Sequence, residues 1–435
     1  MSARSRELFG LIPVTLLVTA GFTAVLITRS SQINKVSITY GLFFLGCCVF
    51  AHIFIRARLP HADPYLFPLG ALLAAFGLVM IYRIDTTLAR QQAEWFVVGL
   101  VLFCATIVFL RDYRVLERYR YTIAAASIGL LLLPRVPGIG GATNGAYLAI
   151  HIGSLQFQPA EFAKIGIVIF LASYLRETRD VLVRGRIPRI SLKHFGPLLL
   201  IWGLAMLMLI FIRDLGSSIM FFGAFLAILY VATARISFVV VGLAMFVLGS
   251  IFFANHVPHV HERVEIWLHP FRPNLVESSG YQIAQALFAQ ADGGLFGRGF
   301  GLSLLKLPVG GHTVTILPAA HTDTIYAVIT NELGLFGAAA LILVYLLFVA
   351  RGFKTALMAH DGFSKLLAAG LASVVALQVF VIVGGVTRVI PLTGVTLPLV
   401  SYGGSSILAN FVVLALLLMI SNESRRVHTE RGGVV

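Results

Sequence analysis

Cysteine and charged residues are both scarce in this chain. Only three of the 435 residues are cysteine, and Cys47, Cys48 and Cys104 have neither the spacing of a disulfide framework nor that of a zinc site. We therefore interpret all three as packing residues. Charged residues make up 12% of the sequence and hydrophobic residues 58%, which excludes an ordinary soluble domain and indicates a protein that crosses a membrane many times.

Twelve apolar runs are long enough to cross a hydrocarbon layer of about 30 Å. They lie at residues 10–28, 37–55, 65–82, 94–110, 121–134, 159–175, 195–212, 217–233, 236–254, 323–350, 364–386 and 397–420. The first run lacks a clean cleavage site, so we expect it to remain as an anchor. The sequence therefore predicts an all-α, polytopic membrane bundle of about twelve helices, with a large extracytoplasmic loop between the ninth and tenth.

Basic residues are unevenly distributed between the loops on the two sides of this bundle. With both termini inside, the cytoplasmic segments contain 21 Lys and Arg residues and the outer segments contain 11. Since Lys and Arg are retained on the cytoplasmic side, we predict cytoplasmic termini. Topology and contact with anionic lipids then account for the net charge of +14, and no basic segment resembles a nucleic-acid module.

Five ionisable residues fall at the outer leaflet in this topology: Glu161, Lys164, Asp214, Asp323 and Arg388. Buried ionisable groups are costly in lipid and usually face a bundle interior or a wet cavity, so we predict one polar pocket that opens outward. Local alternatives stay open at this point. Glu161 and Lys164 have the spacing of a structural ion pair, Asp214 suits a local pair at a helix end, and Asp323 suits a helix cap.

Two segments have the composition of irregular backbone. Residues 391–406 read PLTGVTLPLVSYGGSS, whose prolines and glycines cannot belong to one regular helix. We predict a broken or re-entrant element that forms a wall of the same pocket, with a surface loop as the alternative. Residues 280–301 predict an amphipathic interfacial helix followed by glycines that approach a ligand closely. No strand precedes these glycines, so a dinucleotide fold is rejected.

Four ordered segments resemble the SEDS family (shape, elongation, division and sporulation), the RodA, FtsW and SpoVE membrane glycosyltransferases. They are QPAEFAK at 158–164, DLGSS at 214–218, HTDTIYAVITNELGLFG at 321–337, and the 391–406 segment. The similarity runs from near Asp63 to about Asn422. We therefore expect an N-terminal two-helix extension (1–62), a ten-helix SEDS membrane domain (63–422) and a cytoplasmic tail (423–435). The role of the two extra helices stays open between packing, partner docking and anchoring.

The resemblance implies an enzyme that polymerises lipid II into peptidoglycan strands on the outer membrane face. Asp323 matches the family's essential aspartate, the base that takes the proton from the acceptor sugar 4-hydroxyl. A carboxylate within hydrogen-bond reach suits that task. Lys164 and Arg388, with Arg213 behind them, are our candidates for the pyrophosphate leaving group. We assign Glu161 and Asp214 to orienting Lys164 and shaping the cavity, and add His321, Ser401 and Tyr402 as substrate-binding residues.

Some positions depart from the family pattern. Asn144 to Tyr147 replace a common Lys-Arg-Trp triplet, and Ile212-Arg213 replaces Gln-Pro, which adds a charge. The added arginines, Arg213 and Arg388, compensate for the lost basic residues in our interpretation.

The resemblance also implies a class B penicillin-binding transpeptidase as partner and the bacterial plasma membrane as location. It leaves a role in cell elongation and shape or in division open, and overall similarity favours elongation. A divalent cation, Mg²⁺ or Mn²⁺, is plausible beside pyrophosphate, its ligands are unassigned, and no organic cofactor is expected. We interpret the loop histidines at 256, 259, 261 and 269 as solvated rather than metal-binding. The competing hypotheses are a lipid II flippase or other lipid transporter, and a noncatalytic scaffold. Against transport, the two halves contain no matching interrupted helices, and the polar groups lie away from the midplane.

Overall fold

The computed structural model describes residues 3–29, 35–138, 140–143, 146–152, 155–184, 203, 215–309 and 312–432. The helices are α1 (Ala3–Arg29), α2 (Lys35–Arg58), α3 (Leu66–Ile84), α4 (Thr86–Phe109), α5 (Val115–Arg118), α6 (Arg120–Leu132), α7 (Ala160–Arg184), α8 (Leu215–Thr233), α9 (Ile236–His256), α10 (Pro258–Leu268), α11 (Pro273–Val276), α12 (Tyr281–Gly293), α13 (Ile325–Met358), α14 (Gly362–Val386) and α15 (Gly404–Gly432). Two small antiparallel sheets accompany them. One contains β1 (Gly140–Thr143), β2 (Ala146–Ile152) and β3 (Leu155–Phe157), and the other is the hairpin β4 (Lys306–Val309) and β5 (His312–Thr315).

The all-α, polytopic membrane fold is confirmed. Nine helices in the described part of the chain are long and apolar enough to cross a membrane: α1 to α4, α8, α9 and α13 to α15. Helix α7 has 25 residues and covers the run predicted at 159–175. Helix α6 has 13 residues, about 20 Å at about 1.5 Å per residue, and continues as a 3₁₀ turn at Leu133–Arg135. The run predicted at 195–212 lies outside the described residues.

Helices α14 and α15 form the centre of the bundle. In their most apolar stretches 78% and 89% of the residues are buried, compared with 6% for α9, which lies at the edge. A helix that is apolar on every side can suit either place, since both protein and lipid accept it. Small residues allow close contact at the centre. A Cβ added to Gly77 of α3 would lie 2.6 Å from the backbone of Val400, so this helix packs directly on the 391–406 segment.

The two N-terminal helices are fixed to the bundle by a buried polar network. Arg4 pairs with Glu7 and donates to the carbonyl of Ala62, which lies between α2 and α3. His52 Nδ1 lies 3.0 Å from Glu7 Oε1, and Glu7 is fully buried. Each buried charge therefore has a partner, as burial among apolar helices requires. Close packing and these ion pairs attach the extension to the bundle.

Helix α13 is broken at Gly334, which has φ 68° and ψ −171°. The following amides of Leu335 and Phe336 cannot reach their usual helical acceptors. They donate instead to the carbonyls of Gly294 and Leu295, at 2.9 and 3.2 Å. The break therefore joins α13 to the glycine-rich stretch that follows α12.

The carbonyls freed by this break also bond to the glycine-rich stretch. Asn331 O accepts from Arg298 N at 2.8 Å, and Glu332 O accepts from Gly299 N at 3.1 Å. Four hydrogen bonds thus replace the two that the helix loses, which satisfies the backbone polar groups at the membrane. The structure shows that these glycines approach α13, and the predicted approach to a ligand stays a prediction.

Candidate functional site

Asp323 lies in a turn immediately before α13, two residues before the helix begins, whereas the sequence predicted it as the first residue of that helical run. The helix begins at Ile325, and Thr324 occupies the position that precedes it. Thr324 Oγ1 donates to the carbonyl of Pro318 at 2.7 Å. A Cβ added to Gly394, whose φ is 70°, would lie 3.6 Å from Asp323 Oδ2. The carboxylate is partly exposed and faces the irregular 391–406 segment.

Ser401 ties this segment to the turn that contains Asp323. Its hydroxyl donates to the carbonyl of Thr322 at 2.8 Å and accepts from the amide of Leu397 at 2.9 Å. Beside it, Tyr402 N donates to His321 O at 2.8 Å. Ser401 is 1% exposed, so water cannot replace these bonds. Ser401 therefore braces the turn through the carbonyl of Thr322, the residue that precedes Asp323.

We expect Ser401→Ala to lower the stability of the protein by about 1–3 kcal/mol, because a buried amide and a buried carbonyl both lose their partner. The turn would also loosen, so polymerisation should fall by about tenfold or more. Thermal unfolding in detergent and initial rates measure the two effects. Unchanged stability in Ser401→Ala would contradict the bracing role.

The rings of His321 and Tyr402 pack edge to face, with centroids 5.8 Å apart. Tyr402 OH donates to Gln91 Oε1 at 2.5 Å. Burial lowers the pKa of His321; the carboxylate of Asp85 opposes this effect and the cation of Lys306 adds to it. The imidazole is therefore neutral at neutral pH, which leaves it able both to donate and to accept a hydrogen bond.

This lowered pKa predicts a pH dependence of stability. The unfolded chain binds a proton at His321 below a pH of about 6.5, whereas the folded chain binds it only at lower pH. Stability should therefore fall as the pH decreases through that window, and the loss should be smaller in His321→Gln. Thermal unfolding at a series of pH values tests this. His256→Gln, on an exposed ring of α9, is the control and should retain the full loss.

Lys164 is held in a buried polar triad behind the 391–406 segment. Its Nζ lies 2.5 Å from Glu161 Oε2 and 2.7 Å from Gln378 Oε1. Gln378 Nε2 in turn donates to the carbonyl of Thr396 at 2.8 Å. Glu161 and Lys164 are 5% and 3% exposed, so their ion pair is buried and shielded from water. Gln378 was not among the site residues predicted from the sequence, although a lone amide in an apolar helix was a signal for a functional contact.

Further contacts bring the four family-like segments to one place. Gln158 N donates to Ser405 Oγ at 2.8 Å, which joins the start of α7 to the start of α15. A Cβ added to Gly216 of α8 would lie 2.3 Å from Val395 and 2.9 Å from Thr393. The 391–406 segment is therefore the common partner of the other three. Arg213 and Asp214 lie outside the described residues, so their predicted roles stay predictions.

Arg388 is the predicted site residue that the structure places apart. It is exposed and has φ 62°. Its guanidinium donates to the carbonyls of Trp267 and Leu268, at 2.8 and 2.7 Å, and Trp267 Nε1 donates back to Arg388 O at 3.1 Å. The side chain thus connects the 387–390 turn to α10 of the outer loop. Its proposed contact with pyrophosphate stays a prediction.

No group of three or more His, Cys, Asp or Glu side chains with the geometry of a metal site occurs in the described ranges. Of the loop histidines, His256 Nδ1 lies 2.8 Å from Phe252 O and His261 Nδ1 lies 3.1 Å from Ala254 O. The side chain of His259 is not among the described ones. The divalent cation therefore stays a prediction without ligands.

Comparison with known sequences gives a consistent result. Residues 64–426 match the family described as "Cell cycle protein", which comprises FtsW, RodA and SpoVE. Peptidoglycan glycosyltransferase RodA of Mycobacterium tuberculosis is 40% identical over 426 residues, which cover 93% of this chain and 88% of that protein. Stage V sporulation protein E of Bacillus subtilis is 32% identical over 373 residues, which cover 83% of this chain and 98% of that protein.

Solved structures show the same fold. A chain from a study of the structural coordination of polymerization and crosslinking by a peptidoglycan synthase complex gives a TM-score of 0.67 at 29% identity, covering 83% of this chain and 98% of that one. The rod shape determining protein RodA of Thermus thermophilus gives a TM-score of 0.58 at 28% identity, covering 83% and 97%. Both alignments leave part of this longer chain uncovered.

Proposed function

Since the chain belongs to the FtsW, RodA and SpoVE family of integral membrane proteins, we propose that it is a peptidoglycan glycosyltransferase that polymerises lipid II. The substrate is an undecaprenyl-pyrophosphate-linked disaccharide pentapeptide, and the product is a glycan strand on the outer face of the plasma membrane. The relatives named RodA favour a role in cell elongation and shape over one in division. Both termini would then be cytoplasmic.

The observation that carries this proposal is the position of Asp323. Its carboxylate is partly exposed and faces the backbone at Gly394, in a turn that Ser401 braces. Because Asp323 is partly exposed, we infer that a sugar hydroxyl can reach its carboxylate. A base in this position takes the proton from the acceptor 4-hydroxyl. The hydroxyl oxygen then bonds to the anomeric carbon of the donor, and the bond from that carbon to the pyrophosphate oxygen breaks.

The leaving group is undecaprenyl pyrophosphate, which takes the electron pair of the broken bond. Its negative charge needs positive partners in a site of low polarity. We assign this role to Lys164, which Glu161 and Gln378 hold behind the 391–406 segment, and to Arg213. A divalent cation, if bound, would add positive charge at the same oxygens. Side chains of this protein carry out all other steps of the proposed reaction.

A class B penicillin-binding transpeptidase is the partner that we propose, because one solved relative is a peptidoglycan synthase complex that polymerises and cross-links. The partner would cross-link the strands that this chain makes. We propose that it contacts the outer loop and the membrane helices.

The test is polymerisation of lipid II by the purified full-length chain, alone and with its transpeptidase, analysed as glycan strands on a gel. Long strands that lysozyme digests would support the proposal. If lipid II instead crosses the bilayer of vesicles and no strand forms, the protein is a transporter. An absence of both activities with a tightly bound transpeptidase would indicate a scaffold.

A further inference from the structure

A second buried ion pair lies on the outer side of the bundle, near the break in α13. Arg83, at the end of α3, has its Nε 2.6 Å from Glu332 Oε1. The side chain of Glu332 is 0% exposed and that of Arg83 is 11% exposed. Removing one partner of such a pair leaves an uncompensated charge, so the pair matters more than a surface salt bridge.

Both side chains also hold the outer loop. Arg83 donates to the carbonyls of Gly301 and Ser303 at 2.9 and 2.7 Å. Glu332 Oε2 accepts from the amide of Gly301 at 2.9 Å. The pair therefore connects α3, the loop at 294–303 and α13, three parts of the chain that are distant in sequence.

The helical segment Ile325–Leu333 has the turn that contains Asp323 at one end and Glu332, a member of this pair, near the other. It is about 13 Å long, and Gly334 separates it from the rest of α13. Because the helical hydrogen bonds are interrupted at Gly334, the part of α13 that follows this glycine cannot by itself fix the orientation of Ile325–Leu333. The segment is held at one end by Ser401 and at the other by Arg83 and Glu332.

We propose that Arg83 and Glu332 are positioning residues that set the place of the Asp323 carboxylate. The inference rests on the proposed function and adds to it a pair that does not touch substrate. If the far end of a rigid segment is released, its near end moves, and a displacement of about 1 Å at a reacting group can cost about 100-fold in rate. The effect should fall on kcat, because Arg83 and Glu332 are not among the residues to which we assign substrate binding.

The test compares Glu332→Gln, Arg83→Gln, the double variant and Glu332→Asp in the full-length chain with its transpeptidase. Glu117→Gln is the matched control, because Glu117 pairs with Arg176 at 2.5 Å on the opposite side of the membrane. We expect kcat to fall about 10- to 100-fold in each single variant with little change in KM. The double variant should lose no more than either single one, Glu332→Asp should recover part of kcat, and the control should match wild type.

Trypsin cleavage after Arg298 is a second readout that does not depend on activity. The Arg298 amide is bonded to Asn331 O in the intact arrangement, so Glu332→Gln should be cut several-fold faster there. An unchanged kcat together with unchanged cleavage would overturn the inference. A rise in KM alone, with kcat unchanged, would also overturn it. If wild type forms no strands, the proposed function fails by itself, while the cleavage comparison still decides whether the pair holds the loop.

Discussion

Asp323→Asn should reduce lipid II polymerisation by about 10²- to 10⁴-fold, the range that a general base contributes. Asparagine keeps the size of the side chain but cannot accept the hydroxyl proton. The rate of strand formation by the purified chain with its transpeptidase measures the effect. Asp292→Asn is the matched control, because that carboxylate lies on the outer loop in an exposed pair with Arg298, and it should keep wild-type activity.

This substitution also separates the catalytic role from the capping role. Asparagine caps helices about as well as aspartate does, so a carboxylate that only caps α13 would tolerate the change. The structure gives the N-cap position to Thr324, one residue later. We therefore expect Asp323→Asn to unfold at the wild-type temperature while it fails to polymerise. Equal activity in the two proteins would remove Asp323 from the mechanism.

The parts of the fold that follow from apolar length were predictable from the sequence. Eleven of the twelve predicted runs coincide with helices in the described residues, although the helix of the last run begins at Gly404 rather than at Leu397, and the remaining run lies outside those residues. The irregular 391–406 segment was predictable too, because proline and glycine exclude a regular helix there. The structure shows turns, bends and irregular backbone from Thr387 to Gly403, before α15 begins at Gly404.

The long-range pairs were not predictable. Nothing near Arg83 in the sequence points to Glu332, and the sequence treated the glycines at 293–301 as a ligand loop. The contacts of these glycines depend on a break in α13 at Gly334. In the sequence, Gly334 looks like an ordinary glycine inside an apolar run. Lys164 illustrates the same limit. Its first partner, Glu161, lies on the same helix, whereas its second partner, Gln378, lies on another helix. Spacing along one helix identifies local pairs only.

Gly334→Ala should be a strongly damaging methyl addition, because it affects the break in α13 directly. A Cβ at this position would lie 2.3 Å from Gly297 N and 2.3 Å from Leu295 O, and its φ of 68° is unfavourable for alanine. The neighbouring atoms are backbone, so they cannot rotate away as a side chain does. We expect a loss of about 3 kcal/mol or more in stability, and strand formation near background.

Gly129→Ala and Gly46→Ala are the controls for this experiment. Both glycines are inside helices, and an added Cβ would meet nothing within 4 Å. Alanine favours a helix by up to about 1 kcal/mol relative to glycine, so these variants should be as stable as wild type or more so. Thermal unfolding in detergent and strand formation are measured on all three. Stability and strand formation in Gly334→Ala equal to those of the controls would contradict this. The four hydrogen bonds at the break would then not be what holds the outer loop against α13.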